Sequence, residues 1–340
     1  MPLYSRLDIE APAAPASEEQ PRLSRVPEAA TQPLPEALSH AQRDERGAST
    51  RAWWRPLTVL FRALRPRQWT KNLLVLAAPL AAGAIDWAGV PERVLGAFVV
   101  LCMISSATYL VNDIRDREQD RVHPRKRLRP IAAGELSVRA ALAAAVILSV
   151  AGLGLAAVIT PGLVAVAAGY LAVTLSYSLW WRKIVVIDIL AIAAGFVLRA
   201  LAGGVATDIY LSRWFAIVTA CGAIFLVAAK RYAELREHVA PRLQRATLRH
   251  YSLRGLRLTL AAAATLASIA YVSWAFTRPS HLLWYGLSIV PFLLWLGRYA
   301  SLAGAGAAQA PEELILRDRT LLALSLVWGL LFLGGVYVGR

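Results

Sequence analysis

Long apolar segments are the feature that most constrains the fold of this 340-residue chain. About nine of them, separated by charged breaks, approach the roughly 20 residues that an α-helix needs to cross a bilayer. They are residues 73–91, 94–111, 140–160, 162–180, 184–204, 214–229, 259–277, 282–300 and 320–339. The composition agrees, because 57% of the residues are hydrophobic and only 17% are charged. The sequence therefore predicts an all-α, polytopic membrane bundle of about nine transmembrane helices.

The charges of the loops predict how the bundle is oriented. Eight Lys or Arg residues lie in 112–139 and eight more in 230–258, whereas the alternate loops hold only Arg93, Arg213 and Arg278. By the positive-inside rule, this asymmetry places the N-terminus and both basic loops in the cytoplasm. Because loop asymmetry explains the net charge of +15, no nucleic-acid partner is expected.

The N-terminal part of the chain differs from the apolar segments. Residues 1–50 are rich in Pro, Ala, Glu and Arg and lack apolar periodicity, which predicts a disordered cytoplasmic tail. In 51–70, apolar residues recur at helical spacing, with arginines on the other faces. These apolar residues are Trp53, Leu57, Leu60, Phe61 and Leu64. The pattern predicts an amphipathic helix on the membrane surface, followed by one nine-helix catalytic domain over 71–340.

A polar segment, residues 112–134, separates the second apolar segment from the third. Placed on a helix at about 100° per residue, five of its polar side chains fall within an arc of about 100°. They are Asn112, Asp113, Asp116, Asp120 and His123. Three carboxylates on one face repel each other unless a cation lies among them, and Mg²⁺ bound by carboxylates and substrate phosphates is the usual solution. The spacing therefore predicts a magnesium site at Asp113, Asp116 and Asp120.

Basic residues follow this predicted helix. Pro124 ends it, and Lys126, Arg127 and Arg129 come next in a loop. Cationic side chains of this kind bind the phosphate oxygens that a metal leaves exposed. The structural alternative is a salt-bridged cytoplasmic loop, which explains the arginines but not three acids at helical spacing. We therefore predict a site for a metal ion and phosphates at this edge of the membrane.

A second constellation begins at Tyr177 and includes Asp188, Gly195 and Arg199. Asp188 lies inside an apolar run, where an acidic residue is a functional candidate by default. Gly195 and Arg199 return to the face of Asp188 on a helix, and Gly195 permits close approach of a ligand. Arg199 either pairs with Asp188 or holds a phosphate, and a purely structural ion pair between them stays open.

Two smaller groups complete the set of candidates. Lys71 and Asn72 open the first apolar segment and offer donors to a phosphate pocket. Lys230, Arg231 and Glu234 end the sixth segment, where the positive-inside rule is an adequate account of Arg231.

These residues carry a resemblance to a known family. The pattern Asn112-Asp-x-x-Asp-x-x-x-Asp120 resembles the first acidic motif of the UbiA-type intramembrane prenyltransferase superfamily, whose members have nine transmembrane helices. The chain is similar in further segments to one branch, the decaprenyl-phosphate phosphoribosyltransferases. These segments are Arg65–Asn72, His123–Gly134, Gly195–Gly204 and Lys230–Glu234.

The resemblance implies a reaction and a location. It implies transfer of 5-phosphoribose from phosphoribosyl pyrophosphate to a polyprenyl phosphate, giving a precursor of the lipid-linked arabinose donor for cell-wall arabinan. It also implies Mg²⁺ as cofactor and a bacterial plasma membrane, with the active site on the cytoplasmic side. Lipid chain length and oligomeric state stay undetermined, and a homo-oligomer is compatible with the sequence.

The resemblance also implies roles for individual residues. Asn112, with the three acids that follow it, would form the Mg²⁺–pyrophosphate site, and Tyr177 and Asp188 would form the second motif. The catalytic residues are then Asp113, Asp116, Asp120 and Asp188. The substrate-binding residues are Lys71, Asn72, Asn112, His123, Lys126, Arg127, Arg129, Tyr177, Arg182, Lys183, Arg199 and Lys230.

The second motif departs from the branch pattern at two positions. Arg182 stands where the branch has Lys, and Trp181 replaces Leu. Arg keeps the charge but changes the geometry of the donors, and Lys183 is adjacent, so the sequence does not decide which cation serves.

Two other functions compete with this one. A prenyltransferase that joins a prenyl diphosphate to an aromatic acceptor would favour a second acid-rich motif, which here amounts to Asp188 among cations. A transporter of anions would favour matching broken helices in two halves of the chain, and no such pairing is evident. One acidic pole and several basic ones instead suit a metal-bound pyrophosphate with two separate phosphate monoesters.

Overall fold

Eight long apolar helices dominate the computed structural model, which describes residues 55–181, 184–236, 251–277 and 281–338. The helices are α1 (Arg55–Ala63), α2 (Ala77–Ala81), α3 (Val90–Arg121), α4 (Val138–Ile159), α5 (Pro161–Leu179), α6 (Val185–Ala206), α7 (Arg213–Arg236), α8 (Leu253–Phe276), α9 (Leu282–Gly304), α10 (Pro311–Arg317) and α11 (Arg319–Tyr337). Two 3₁₀ helices join them, Pro66–Leu76 and Lys126–Leu128. The described residues form no β-strand. The predicted all-α class is confirmed.

The first predicted span, 73–91, is wrong as a continuous helix. The chain there forms the end of the Pro66–Leu76 3₁₀ helix and then the five-residue helix α2. Pro79 lacks a backbone N–H, and Gly83 adopts a left-handed conformation with φ 66°, which ends helical structure. The eight helices long enough to span a membrane are therefore α3 to α9 and α11.

Helix α3 is longer than the predicted span 94–111, because it continues through the acidic motif to Arg121. Its apolar part is also the most enclosed of the eight, because 61% of an apolar 18-residue stretch of this helix is buried. The acidic motif is therefore carried by a rigid, centrally packed helix. The predicted end of this helix before Pro124 is confirmed.

The long helices pack in sequence order around a closed bundle. Each helix from α3 to α9 contacts the next one along the chain, and α11 packs on α9. The broken segment 66–81 closes the bundle, because its two helices contact α3, α6 and α11. This arrangement places the 3₁₀ helix between α3 and α6, where the candidate site lies.

The outward faces of the helices are apolar. On α4, for example, Leu142, Val146, Ile147 and Val150 are all more than half exposed. Side chains of this kind in consecutive turns are expected where a helix faces lipid instead of water. The buried faces are rich in alanine, which lets neighbouring helices approach closely.

Helix α1 covers part of the predicted amphipathic segment 51–70. Its apolar residues Leu57 and Phe61 are about half exposed, as an interfacial helix requires. The location of α1 on a membrane surface stays a prediction. The predicted tail, residues 1–50, and Trp53 lie outside the described residues.

Candidate functional site

A cavity of about 170 Å³ lies among the Pro66–Leu76 3₁₀ helix, α3, α5 and α6. The structure brings four of the predicted substrate-binding residues to its walls: Lys71, Asn112, Tyr177 and Arg199. The remaining walls come from Thr108, Tyr109, Tyr170, Thr174, Ser178, Ala191, Ile192, Gly195 and Phe196. The cavity therefore unites the first acidic helix with the second constellation.

Arg199 is a buried cation in this wall, with 5% of its surface exposed. Its Nε donates to Asn72 Oδ1 at 2.8 Å, its Nη1 to the Gly195 carbonyl at 2.9 Å and its Nη2 to the Tyr170 hydroxyl at 2.5 Å. All three partners are neutral, so they fix the guanidinium without cancelling its charge. A buried charge of this kind is costly unless an anion pairs with it. The geometry suits an anionic ligand in the cavity, and it excludes the alternative that Arg199 pairs with Asp188.

Asn72 is fully buried and orients Arg199. Its Nδ2 donates to Cys102 Sγ and Ser105 Oγ, both at 3.3 Å and both on α3. These contacts turn the carboxamide so that its oxygen faces the Arg199 guanidinium. Asn72 thus links α3 to α6 through the 3₁₀ helix. Lys71, beside it, donates to Gln68 Oε1 at 2.7 Å while lining the cavity.

Two carboxylates of α3, those of Asp113 and Asp120, form ion pairs with arginine side chains. Arg129 Nη1 donates to Asp113 Oδ1 at 3.1 Å and to Asp120 Oδ2 at 2.6 Å, and both acids are nearly buried. Arg65 also forms an ion pair with Asp113. It holds a left-handed conformation with φ 57°, which is uncommon for a residue other than Gly. Asp116 is half-buried one turn beyond Asn112, so it lies on the cavity-facing side of α3.

The donor set of α3 fits a magnesium ion. Among the described residues, no group of three or more His, Cys, Asp or Glu side chains is arranged to hold a metal. Two carboxylates nevertheless converge on a single nitrogen of Arg129, so one positive charge already lies between them. Mg²⁺ is commonly bound by one or two carboxylates together with substrate phosphates and water. Asp113 and Asp120 would supply the carboxylates for such a site.

The basic segment after α3 is partly ordered by His123. Its Nδ1 accepts hydrogen bonds from the backbone N–H groups of Arg125 and Lys126, at 3.3 and 3.4 Å. Partial removal from water, followed by the charge of Lys126, lowers the pKa of His123 below its ordinary value. The lower pKa favours the neutral imidazole, which can accept N–H groups at Nδ1. Lys126 is half-buried and Arg127 exposed in the short 3₁₀ helix that follows.

Asp188 is the centre of a second, buried network. Arg231 donates to it twice, through Nε at 2.6 Å and Nη2 at 3.0 Å, and its Nη1 contacts Glu234 at 2.6 Å. The hydroxyls of Tyr177 and Tyr251 also donate to Asp188. Burial, together with the negative charge of Asp188, raises the pKa of the Tyr251 phenol. Arg231 is only 2% exposed and pairs with two carboxylates, so the positive-inside rule alone does not account for it.

Six other predicted substrate-binding residues that the structure describes are not in the cavity wall: Asn72, His123, Lys126, Arg127, Arg129 and Lys230. Lys230 is half-buried on α7 next to the Arg231 network. Arg182 and Lys183 lie outside the described residues, so the choice between them stays open.

Four residues with evident parts in these networks had no role assigned from the sequence. They are Arg65, Tyr170, Arg231 and Tyr251. The sequence signal for Arg231 was weak, because it lies just after the apolar run 214–229, where the positive-inside rule already accounts for a cation. Arg65 belongs to the segment similar to the branch, but its left-handed backbone has no sequence signal.

A larger and mostly apolar cavity of about 510 Å³ lies on another side of the 3₁₀ helix. Leu74, one turn from Lys71, lines it together with the aromatic rings of Trp214, Tyr271 and Trp274. The contributing parts of α7, α8 and α11 are at the ends of these helices remote from the acidic motif. The 3₁₀ helix therefore separates a charged cavity from an apolar one.

Comparisons with known proteins agree with this architecture. Residues 73–317 match the model of the UbiA prenyltransferase family. The chain is 45% identical over 275 residues to a protein of Mycobacterium tuberculosis named decaprenyl-phosphate phosphoribosyltransferase, with 78% of this chain and 90% of the relative covered. It is 44% identical over 290 residues to the protein of that name from Corynebacterium glutamicum, with 82% and 87% covered.

A solved structure shows the same fold. The UbiA homolog from Archaeoglobus fulgidus bound to GPP and Mg²⁺ aligns with a TM-score of 0.64 over 82% of this chain and 99% of that chain, at 16% identity. That identity supports the likeness of fold alone. The family model covers most of the chain, and the relatives match along nearly their whole length. The chain therefore belongs to the UbiA prenyltransferase family.

Proposed function

We propose that this chain transfers the 5-phosphoribosyl group of phosphoribosyl pyrophosphate to decaprenyl phosphate or a similar polyprenyl phosphate, releasing pyrophosphate. The observation that carries the proposal is Arg199, a buried cation with neutral protein partners in a cavity that also borders the acidic helix. One cationic and one acidic pole suit a substrate pair with a phosphate monoester and a metal-bound pyrophosphate. The shared name of the two relatives supports the same reaction.

The acidic pole is proposed to receive the pyrophosphate. Asp113, Asp116 and Asp120 would hold Mg²⁺, which when bound neutralises the negative charge of the leaving group. Arg65 and Arg129, which pair with these carboxylates in the structure, would then contact phosphate oxygens. Both side chains are about one quarter exposed, so they have room to turn.

The cationic pole is proposed to orient the phosphate monoesters. Lys71 and Arg199 would hold the ribose 5-phosphate and the lipid phosphate, and Asn112 would add a donor or an acceptor between the poles. An oxygen of the lipid phosphate forms a bond to C1 of the ribose, and the bond from C1 to pyrophosphate breaks with its electron pair. Because the attacking oxygen is already an anion at neutral pH, the reaction requires no strong general base.

The lipid tail is proposed to occupy the apolar cavity beyond the 3₁₀ helix, whose aromatic walls suit an isoprenoid chain. We further propose that the acidic end of the bundle faces the cytoplasm of a bacterium, where phosphoribosyl pyrophosphate is available. This orientation follows from the positive-inside rule. The product would then serve as a precursor of the lipid-linked arabinose donor.

The first experiment is a transfer assay in detergent with purified protein, Mg²⁺, labelled phosphoribosyl pyrophosphate and decaprenyl phosphate. We expect label in the organic phase, and loss of that label on addition of EDTA. Absence of label, combined with transfer of a prenyl diphosphate to 4-hydroxybenzoate, would move the chain to the aromatic branch.

Asp116→Asn and Glu118→Gln make a matched pair of variants for this assay. Both replacements remove one negative charge from the same part of α3, but Glu118 lies on its exposed side. We expect Asp116→Asn to abolish transfer and Glu118→Gln to keep it. Full activity of Asp116→Asn would exclude the metal-site assignment.

A further inference from the structure

The carboxylate of Asp188 is surrounded by donors from the protein. Its Oδ1 accepts from the Tyr177 hydroxyl and from Arg231 Nη2 at 3.0 Å. Its Oδ2 accepts from Arg231 Nε at 2.6 Å and from the Tyr251 hydroxyl at 3.0 Å. A carboxylate offers about four lone-pair positions, so these donors fill them. A metal ion would therefore reach Asp188 only by displacing one of these donors.

The guanidinium of Arg231 is engaged by carboxylates of the same network. Its Nε and Nη2 face Asp188, and its Nη1 faces Glu234 at 2.6 Å. Two carboxylates therefore balance one guanidinium that is only 2% exposed. Arg199 differs in this respect, because its three partners are neutral. Of the two buried arginines, Arg199 is suited to an anionic ligand and Arg231 to an internal ion pair.

The network connects the cavity to elements beyond it. Tyr177 lines the cavity from the end of α5, Asp188 begins α6, and Arg231 lies in the last part of α7. Tyr251, just before α8, shares its one hydroxyl proton between Asp188 and the Val185 carbonyl, which lies at 2.7 Å. The hydrogen bonds around Asp188 therefore hold α5, α6 and α7 together at the edge of the cavity.

We propose that Asp188 and Arg231 are positioning residues that hold Tyr177 in the wall of the cavity, and that Asp188 contacts neither the metal nor the substrates. The proposal rests on the proposed function only for the identity of the ligand in the cavity. It differs from the role that the family resemblance gives to Asp188, because it makes the second motif a structural support of the first.

The test uses Asp188→Asn, Arg231→Gln and the double variant. Each single change leaves one member of the buried Asp188–Arg231 pair without its partner. The double change removes both charges of that pair, leaves only the partly exposed Glu234 without Arg231, and keeps an acceptor for Tyr177. We expect each single variant to lower Tm and to reduce kcat/KM by roughly 10- to 100-fold, the range for groups that orient a site. The double variant should recover Tm and exceed both single variants in kcat/KM.

Two outcomes of these measurements would overturn the proposal. A double variant with recovered Tm that is no more active than Asp188→Asn would mean that the carboxylate itself acts on the substrates or the metal. A double variant with a Tm as low as the single variants would mean that the ion pair is not the stabilising unit.

Metal binding supplies a readout that needs no turnover. Binding of Mn²⁺ in the presence of inorganic pyrophosphate can be followed by electron paramagnetic resonance, with Asp113→Asn as the variant expected to lose it. We expect the double variant at Asp188 and Arg231 to bind Mn²⁺ as the unchanged protein does. Loss of Mn²⁺ binding from a double variant with recovered Tm would overturn the proposal.

The Tm and Mn²⁺ measurements distinguish a failure of this positioning role from a failure of the proposed function. The Tm measurements need neither a substrate nor a metal, so they decide on the ion pair even if the unchanged protein transfers no phosphoribose. If the unchanged protein is inactive in transfer, recovery of Tm and retention of Mn²⁺ binding still support the positioning role.

Discussion

Gly203 on α6 lies directly against the main-chain carbonyl of Val75 in the Pro66–Leu76 3₁₀ helix. A Cβ atom built on Gly203 would overlap the Val75 carbonyl oxygen, so only glycine permits this approach. The contact places the 3₁₀ helix against α6, where Asn72 reaches Arg199 at 2.8 Å. A single small residue therefore determines whether the cationic pole of the cavity can form.

Gly203→Ala should therefore damage both stability and the site. Because the obstacle is backbone and not a flexible side chain, one of the two helices must move, at a cost of about 1–3 kcal/mol or more. Thermal unfolding in detergent, followed by the KM for phosphoribosyl pyrophosphate, measures both effects. Gly222→Ala on α7 is the matched control, since a Cβ there meets nothing within 4 Å. A Gly203→Ala protein with unchanged Tm and KM would contradict this account.

Arg199→Lys should impair substrate binding although it keeps the positive charge. A lysine ammonium cannot replace the three nitrogens that contact Asn72, Gly195 and Tyr170. Loss of one hydrogen bond to a charged group costs about 1.5–3 kcal/mol, so we expect a corresponding fall in kcat/KM.

The control for this variant is Arg213→Lys, at an exposed position at the start of α7. If Arg199 were only a source of charge, the lysine variant would keep its kinetic constants, and steady-state kinetics with both substrates decides between the two cases.

The sequence predicts which residues share one face of a helix, but it does not predict which residues of other helices they contact. Helical spacing grouped Asn112 with the acids of its own helix and Arg199 with Gly195, and the structure brings Asn112, Tyr177 and Arg199 to one cavity. The same spacing left open an ion pair between Arg199 and Asp188 on one helix. Eleven residues correspond to about 16 Å along a helix axis, which is too far for that pair. The true partner, Arg231, comes from the next helix, and periodicity within one segment contains no information on it.

The first apolar segment, residues 73–91, shows a different limit of prediction from the sequence. Pro79 and Gly83 were visible inside residues 73–91, but hydropathy alone does not separate a continuous span from two short helices. The break matters for the site, because the 3₁₀ helix that replaces a regular one carries Lys71 and Asn72. Helix-breaking residues near a predicted site therefore contain more information than the length of the apolar run.

Arg129→Gln should strengthen the binding of a divalent metal ion and weaken the binding of phosphoribosyl pyrophosphate. Arg129 bridges Asp113 and Asp120, so it competes with a divalent cation for the two carboxylates. Without it, we expect tighter binding of Mn²⁺ in the absence of substrate, measured by electron paramagnetic resonance. The KM for phosphoribosyl pyrophosphate should rise, because a cation for its phosphate oxygens is lost.

The control for Arg129→Gln is Arg139→Gln, which removes one charge from an exposed position at the start of α4. It should leave both quantities unchanged. Weaker Mn²⁺ binding by Arg129→Gln would mean that the arginine organises the carboxylates for the metal and does not compete with it.

Val218→Trp should discriminate between lipids of different length. Val218 lines the apolar cavity of about 510 Å³, so a larger side chain there occupies space that we assign to the isoprenoid tail. The KM for decaprenyl phosphate should rise, whereas a short-chain prenyl phosphate that does not reach this cavity should be used as before. Ile217→Trp is the matched control, because Ile217 is the preceding residue on α7, is 40% exposed and is not in the cavity wall. Equal effects of Val218→Trp on the long and the short lipid would place the tail elsewhere on the bundle.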